Sequence, residues 1–155
     1  MTILAALRPD DWDFPLLVHV LGAGLLVGGL VTAVTALLLG WRRDSAFYSR
    51  VGFWSLLVVA FPAWWIMRIG AEWIYSKENW DDVEEEPAWL GIGYITADLG
   101  GLLLLISIIL TGIGMRRLRR GDAEKSVLTQ IGGAVSSLAL LAYIVAMWAM
   151  TAKPD

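Results

Sequence analysis

The chain has 155 residues, of which 57% are hydrophobic and 17% charged, with no cysteine, one histidine and a formal net charge of −3. Soluble domains carry about 45–50% apolar and about 25% charged residues, so a mean hydropathy of +0.64 indicates another class. The composition excludes a nucleic-acid-binding domain, a disordered chain and a disulfide-stapled secreted domain. It indicates an integral membrane protein, with the lipid bilayer as its main partner.

Four apolar stretches follow one another along the chain, at about residues 14–39, 51–75, 90–115 and 127–151. Each is long enough to cross a hydrocarbon layer of about 30 Å, which takes roughly 20 helical residues. The alternating ten-residue segments of a membrane β-barrel are absent from the sequence. The sequence therefore predicts an all-α fold, an integral membrane four-helix bundle that forms one transmembrane domain over residues 1–155.

Charged residues between the stretches predict a direction. The middle connection, residues 76–89, holds six acids against Lys77 alone. The first and third connections are basic, with Arg42, Arg43 and Arg50 in one and Arg116, Arg117, Arg119, Arg120 and Lys125 in the other. Because basic loops stay in the cytoplasm, the bundle is predicted to be antiparallel, with both termini and the acidic loop outside. Of the tryptophans, Trp54, Trp64 and Trp65 lie deep in the second stretch and are expected to pack between helices.

Ionisable side chains inside membrane spans are rare, because each costs about 2.5–3.5 kcal/mol on insertion scales. This chain has four of them, His19, Arg68, Glu72 and Asp98, on three of the four spans. Counted inward at about 1.5 Å per residue, all four fall in the outer half of the membrane. The shared depth predicts a polar cluster near the outer face.

Helical spacing adds aromatic residues to this cluster. Steps of three or four residues bring Tyr75 to the face of Arg68 and Glu72, and Tyr94 to the face of Asp98. Tyr143 lies at a similar depth on the fourth span, and the three tyrosines are expected to line a pocket open to the outside. A purely structural interpretation also exists, in which Arg68 and Glu72 form an interfacial pair and Asp98 fixes the helix register.

No sequence pattern indicates catalysis, since nucleotide-binding loops, Ser-His-Asp groupings and HExxH motifs are all absent. The first functional hypothesis is a non-catalytic membrane protein that binds a small ligand or ion at the polar cluster. The second is a structural or accessory subunit, whose glycine-rich faces bind a second copy or a partner membrane protein. The third is a proton-coupled transporter in which Asp98 or Glu72 exchanges a proton.

The first span also carries a family resemblance. A histidine near its outer end, His19, is followed by small residues and then by the pair Gly28 and Gly29. This pattern resembles the opening helix of the copper-resistance D family and of related small four-span bacterial membrane proteins. The resemblance implies a multi-pass protein of the bacterial cytoplasmic membrane, with His19 at an outer site for copper or haem.

The other histidines that would complete such a site are missing from the sequence. Copper also accepts soft thioether ligands, so methionines at a similar depth are the remaining candidates. The predicted metal ligands are therefore His19, Met67, Met147 and Met150, with Asp98 beside them.

Overall fold

The structure, a computed structural model, describes residues 13–78, 87–120 and 126–152. Within these ranges every regular element is helical and none is a strand. The elements are α1 (Asp13–Arg42), α2 (Ala46–Trp54), a π-helical segment (Ser55–Ala60), α3 (Phe61–Glu78), α4 (Ala88–Arg120) and α5 (Val127–Ala152). The N-terminal arm, most of the predicted acidic loop and Lys125 lie outside the described residues.

Within the described ranges, four helical spans are long and apolar enough to cross a membrane: α1, the continuous stretch from α2 to α3, α4 and α5. The all-α, four-helix prediction is therefore confirmed. The helices extend beyond most of the predicted boundaries, because a charged residue ends an apolar run without ending the helix. Arg42 thus closes α1, Arg50 lies within α2, and the arginines from Arg116 onward belong to the end of α4.

The spans surround one core. Contacts are most extensive between α1 and the second span and between α4 and α5, and α1 also packs against α5. By contrast, α3 and α4 meet over a small area. Fully or nearly fully buried side chains, including Leu26, Leu30, Leu56 and Leu104, fill the centre. The bundle therefore consists of two closely packed pairs, α1 with the second span and α4 with α5, which meet through α1 and α5. The side between α3 and α4 is packed more loosely, and we call it the α3–α4 seam.

The π-helical segment has a local cause in the second span. Pro62 has no backbone N–H, so the normal helical bond to the carbonyl four residues earlier is missing. The preceding N–H, of Phe61, donates to the carbonyl of Leu56, which is the five-residue spacing of a π turn. In the same region the hydroxyl of Ser55 donates to the carbonyl of Gly29 on α1 at 2.8 Å. This bond satisfies a buried polar group and ties the irregular segment to α1.

The tryptophan prediction is right for one residue of three. The Trp64 indole lies between α3 and α4, where a methyl group added to Gly101 would come within 2.6 Å of the ring. Trp54 and Trp65 are each 50% exposed, so the expectation that they pack between helices is wrong. Adjacent residues on a helix point about 100° apart, so Trp64 and Trp65 cannot share one narrow interface.

Glycines set the distance between α1 and α3. A methyl group added to Gly22 would overlap the backbone nitrogen of Met67, and one added to Gly70 would come within 2.6 Å of the backbone nitrogen of His19. The two backbones therefore touch at two successive points. Such close packing is the usual way in which membrane helices associate, because lipid offers no hydrophobic drive.

Replacing Gly22 tests this packing. We expect Gly22→Ala to lower the free energy of unfolding by about 1–3 kcal/mol, because the new methyl group meets backbone that cannot rotate away. Gly24→Ala is the matched control: nothing lies within 4 Å of its added methyl group, so it should leave the free energy of unfolding unchanged or raise it by up to about 1 kcal/mol through helix propensity. Unfolding of both variants in detergent measures the difference. Equal stability of the two variants would contradict the close approach.

Candidate functional site

Arg68 on α3 is the centre of a charged cluster. Its guanidinium forms an ion pair with Glu72, one helical turn further along α3. A second nitrogen lies 3.4 Å from a carboxylate oxygen of Asp98 on α4. The Arg68 side chain is 21% exposed, whereas Glu72 and Asp98 are 54% and 64% exposed. A planar guanidinium suits this arrangement, because its fork can serve two acids at once.

Two tyrosines stand beside the guanidinium. The central carbon of the Arg68 guanidinium lies 4.7 Å from the centre of the Tyr94 ring, within the range of a cation–π interaction. Tyr75 packs edge-on against Tyr94, with ring centres 5.6 Å apart. We call these five residues, Arg68, Glu72, Asp98, Tyr75 and Tyr94, the Arg68 cluster. Tyr75 and Tyr94, two of the three tyrosines predicted to line a pocket at this depth, are thus adjacent to the charged groups on α3 and α4.

The backbone next to Asp98 is held by two side-chain donors, one partly buried and one buried. The indole N–H of Trp64 donates to the carbonyl of Ala97 at 2.9 Å, and the Tyr143 hydroxyl donates to the same oxygen at 3.4 Å. Tyr143 is only 4% exposed, so it braces α4 from within the bundle and does not line an open pocket. The hydrogen bond from Trp64 to α4 was not predicted from the sequence. The one sequence feature that points to it is Gly101, which leaves room on α4 for the Trp64 ring.

His19 lies apart from these charges. Its Nδ1 atom is 3.0 Å from the backbone carbonyl oxygen of Met67, and its backbone rests against Gly70. Within the described part of the chain, no ion pair joins His19 to Glu72 or Asp98. The structure therefore brings three of the four predicted ionisable residues together and bonds the fourth to the backbone of α3.

The methionines predicted as metal ligands have separate surroundings. Met67 is buried in the central core, Met147 is 49% exposed, and the terminal methyl group of Met150 lies over Gly93 on α4. Among the residues that the structure describes, no group of three or more histidines, aspartates or glutamates is placed to hold a metal ion. The residues present thus offer a single imidazole, and they do not fit a complete copper coordination set.

The Arg68 cluster lies at a defined level along the bundle. Eighteen residues separate Asp98 from Arg116 on α4, and the same number separates Arg50 from Arg68 on the second span. At about 1.5 Å per residue this is about 27 Å, close to the hydrocarbon thickness of about 30 Å. The two charged levels therefore match the two edges of a hydrocarbon layer. We call them the carboxylate end and the arginine end.

No family model, curated protein or solved structure matches the chain. The chemistry of the site therefore has to be inferred from its own residues. Two exposed carboxylates, one shared guanidinium and two aromatic rings give the cluster a formal charge of −1. The arrangement offers exposed carboxylate oxygens to a small polar or charged ligand.

A double-mutant cycle tests the contact between α3 and α4. Combining Arg68→Gln with Asp98→Asn should give a coupling free energy of about 0.5–1 kcal/mol, the range of a partly exposed ion pair. Unfolding of the two single variants and the double variant measures it. Arg68→Gln combined with Asp44→Asn at the arginine end is the control and should show no coupling. A coupling as small as that of the control would contradict the ion pair.

Proposed function

We propose that this chain is a multi-pass protein of a bacterial cytoplasmic membrane, with its four spans antiparallel and both termini outside. The four long apolar helices support the membrane assignment. Contacts between the start of one span and the end of its neighbour support the antiparallel arrangement, as for Gly22 with Met67 and Gly93 with Met150. The arginines concentrated at one end of the bundle support an orientation with that end in the cytoplasm.

Within this topology, we propose that the Arg68 cluster binds a small ligand from the outer side of the membrane, without catalysing a reaction on it. One observation carries the proposal. Arg68 is held between two carboxylates and over an aromatic ring, while both carboxylates remain more than half exposed. Joining α3 to α4 requires only the ion pair between Arg68 and Asp98. Glu72 pairs with the same guanidinium, although it lies on the same helix as Arg68.

The charge of the cluster favours a cationic ligand. With Arg68 shared, the two carboxylates still carry one formal negative charge in excess, and an exposed carboxylate keeps lone pairs for a further partner. The α3–α4 seam lies beside these oxygens. A small cation that reaches this seam from the aqueous side is therefore the ligand class that fits best.

A second candidate, copper or haem, is favoured by the geometry of His19. A carbonyl oxygen only accepts, so Nδ1 of His19 donates to Met67 and the lone pair of the neutral ring lies on Nε2. Histidines that bind metals commonly have their other nitrogen fixed in this way. Together with the resemblance of the first span to the copper-resistance D family, this supports His19 as the one residue of the described chain that would bind copper or a haem iron, through Nε2.

Thermal unfolding in detergent with four separate probes tests both candidates. The probes are tetramethylammonium, calcium, copper and haem, added to the wild type, Asp98→Asn and His19→Ala. A ligand at about one hundred times its Kd stabilises the folded state by about 2.7 kcal/mol. We expect tetramethylammonium or calcium to raise the Tm of the wild type. Asp98→Asn should abolish that shift, whereas His19→Ala should retain it.

The remaining outcomes discriminate between the functions. A Soret band or bound copper that disappears in His19→Ala would favour the second candidate over the first. If no probe shifts the wild-type Tm and Asp98→Asn merely lowers the melting temperature, ligand binding is wrong and the cluster serves packing or subunit assembly.

A further inference from the structure

A second feature lies at the arginine end, on the side where α2 faces α4. An open groove of about 510 Å³ runs between these helices along the bundle surface. Its charged rim consists of Arg50, Arg116 and Arg119, and its apolar walls include Phe53, Leu57 and Ile109. The volume lies within the range of about 300–1,000 Å³ that small-molecule sites occupy.

The three arginines on the rim are available for an anion. Arg50 extends from α2, and Arg116 and Arg119 extend from neighbouring positions, one turn apart, on α4. All three side chains are exposed. Within the described ranges, no ion pair joins any of them to an acid. Their charges therefore converge on the mouth of the groove without an acidic partner among the described residues.

The groove continues from this rim toward the middle of the membrane. A methyl group added to Gly112 would lie 3.1 Å from the Phe53 ring, so the glycine lets α4 approach this ring. Ile109 is 58% exposed beside it, and Leu57 belongs to the π-helical segment. A polar solute would gain nothing from these walls, whereas an acyl chain can lie along them.

We propose that this groove binds one anionic phospholipid, with its phosphate on Arg50, Arg116 and Arg119 and one acyl chain along the apolar walls. Charge complementarity carries the choice of occupant. Basic pockets between membrane helices recognise anionic lipid headgroups, and an arginine fork matches the geometry of a phosphate. The groove is open along the surface of the bundle, so a lipid would not have to pass between helices to reach it.

The experiment measures lipid binding to the purified chain by native mass spectrometry. The probes are dioleoyl phosphatidylglycerol, dioleoyl phosphatidylcholine of the same chain length, and inorganic phosphate. We expect retention of one phosphatidylglycerol and no retention of phosphatidylcholine. Arg116→Gln with Arg119→Gln should weaken phosphatidylglycerol binding about 30-fold, at roughly fivefold per arginine.

Arg117→Gln with Arg120→Gln is the matched control, because both residues end the same helix without lining the groove. This pair removes the same charge and should weaken binding less than threefold. Equal weakening by both pairs would overturn the proposal in favour of a general surface attraction. Equal retention of the two lipids would also overturn it, as would phosphate competing with phosphatidylglycerol at similar concentrations.

Discussion

A hydrocarbon layer accepts charge only near its two edges, and this constraint organises the whole chain. Arg50 and Arg116 mark one edge, Arg68 and Asp98 mark the other, and about 27 Å of helix separates the two levels on both spans. Both candidate sites lie where this constraint permits them. The Arg68 cluster compensates one of its two negative charges with Arg68, whereas the rim arginines of the groove have no acidic partner among the described residues.

Between the charged levels, the bundle depends on small residues and on local hydrogen bonds. Gly22 and Gly70 bring the backbones of α1 and α3 into contact. Several buried hydroxyls donate to the carbonyl one turn earlier on the same helix, as Ser136 does to Gly132 at 2.8 Å and Thr111 does to Ser107 at 2.7 Å. This packing also serves the Arg68 cluster: Gly101 admits the Trp64 indole, which then holds the carbonyl beside Asp98.

Features that depend only on position along the chain could be predicted from the sequence. Apolar run length predicted four spans, and depth along each helix brought Arg68, Glu72 and Asp98 to one level. It was harder to predict which face of each helix points into the bundle, because faces that carry glycines, tryptophans or leucines are all apolar. His19 therefore faces the α3 backbone instead of Arg68, and Trp54 and Trp65 point outward. The groove was also missed, since its rim combines arginines from two helices that are 66 residues apart in sequence.

The proposed orientation places the carboxylate end of the bundle outside and the arginine end in the cytoplasm. Because the chain has no cysteine, single cysteines test this directly at two exposed positions on the second span, in Ala46→Cys and Ser76→Cys. A membrane-impermeant maleimide applied to right-side-out vesicles should label Ser76→Cys at once and Ala46→Cys only after permeabilisation. The reverse labelling pattern, or equal labelling of both variants before permeabilisation, would contradict the proposed orientation.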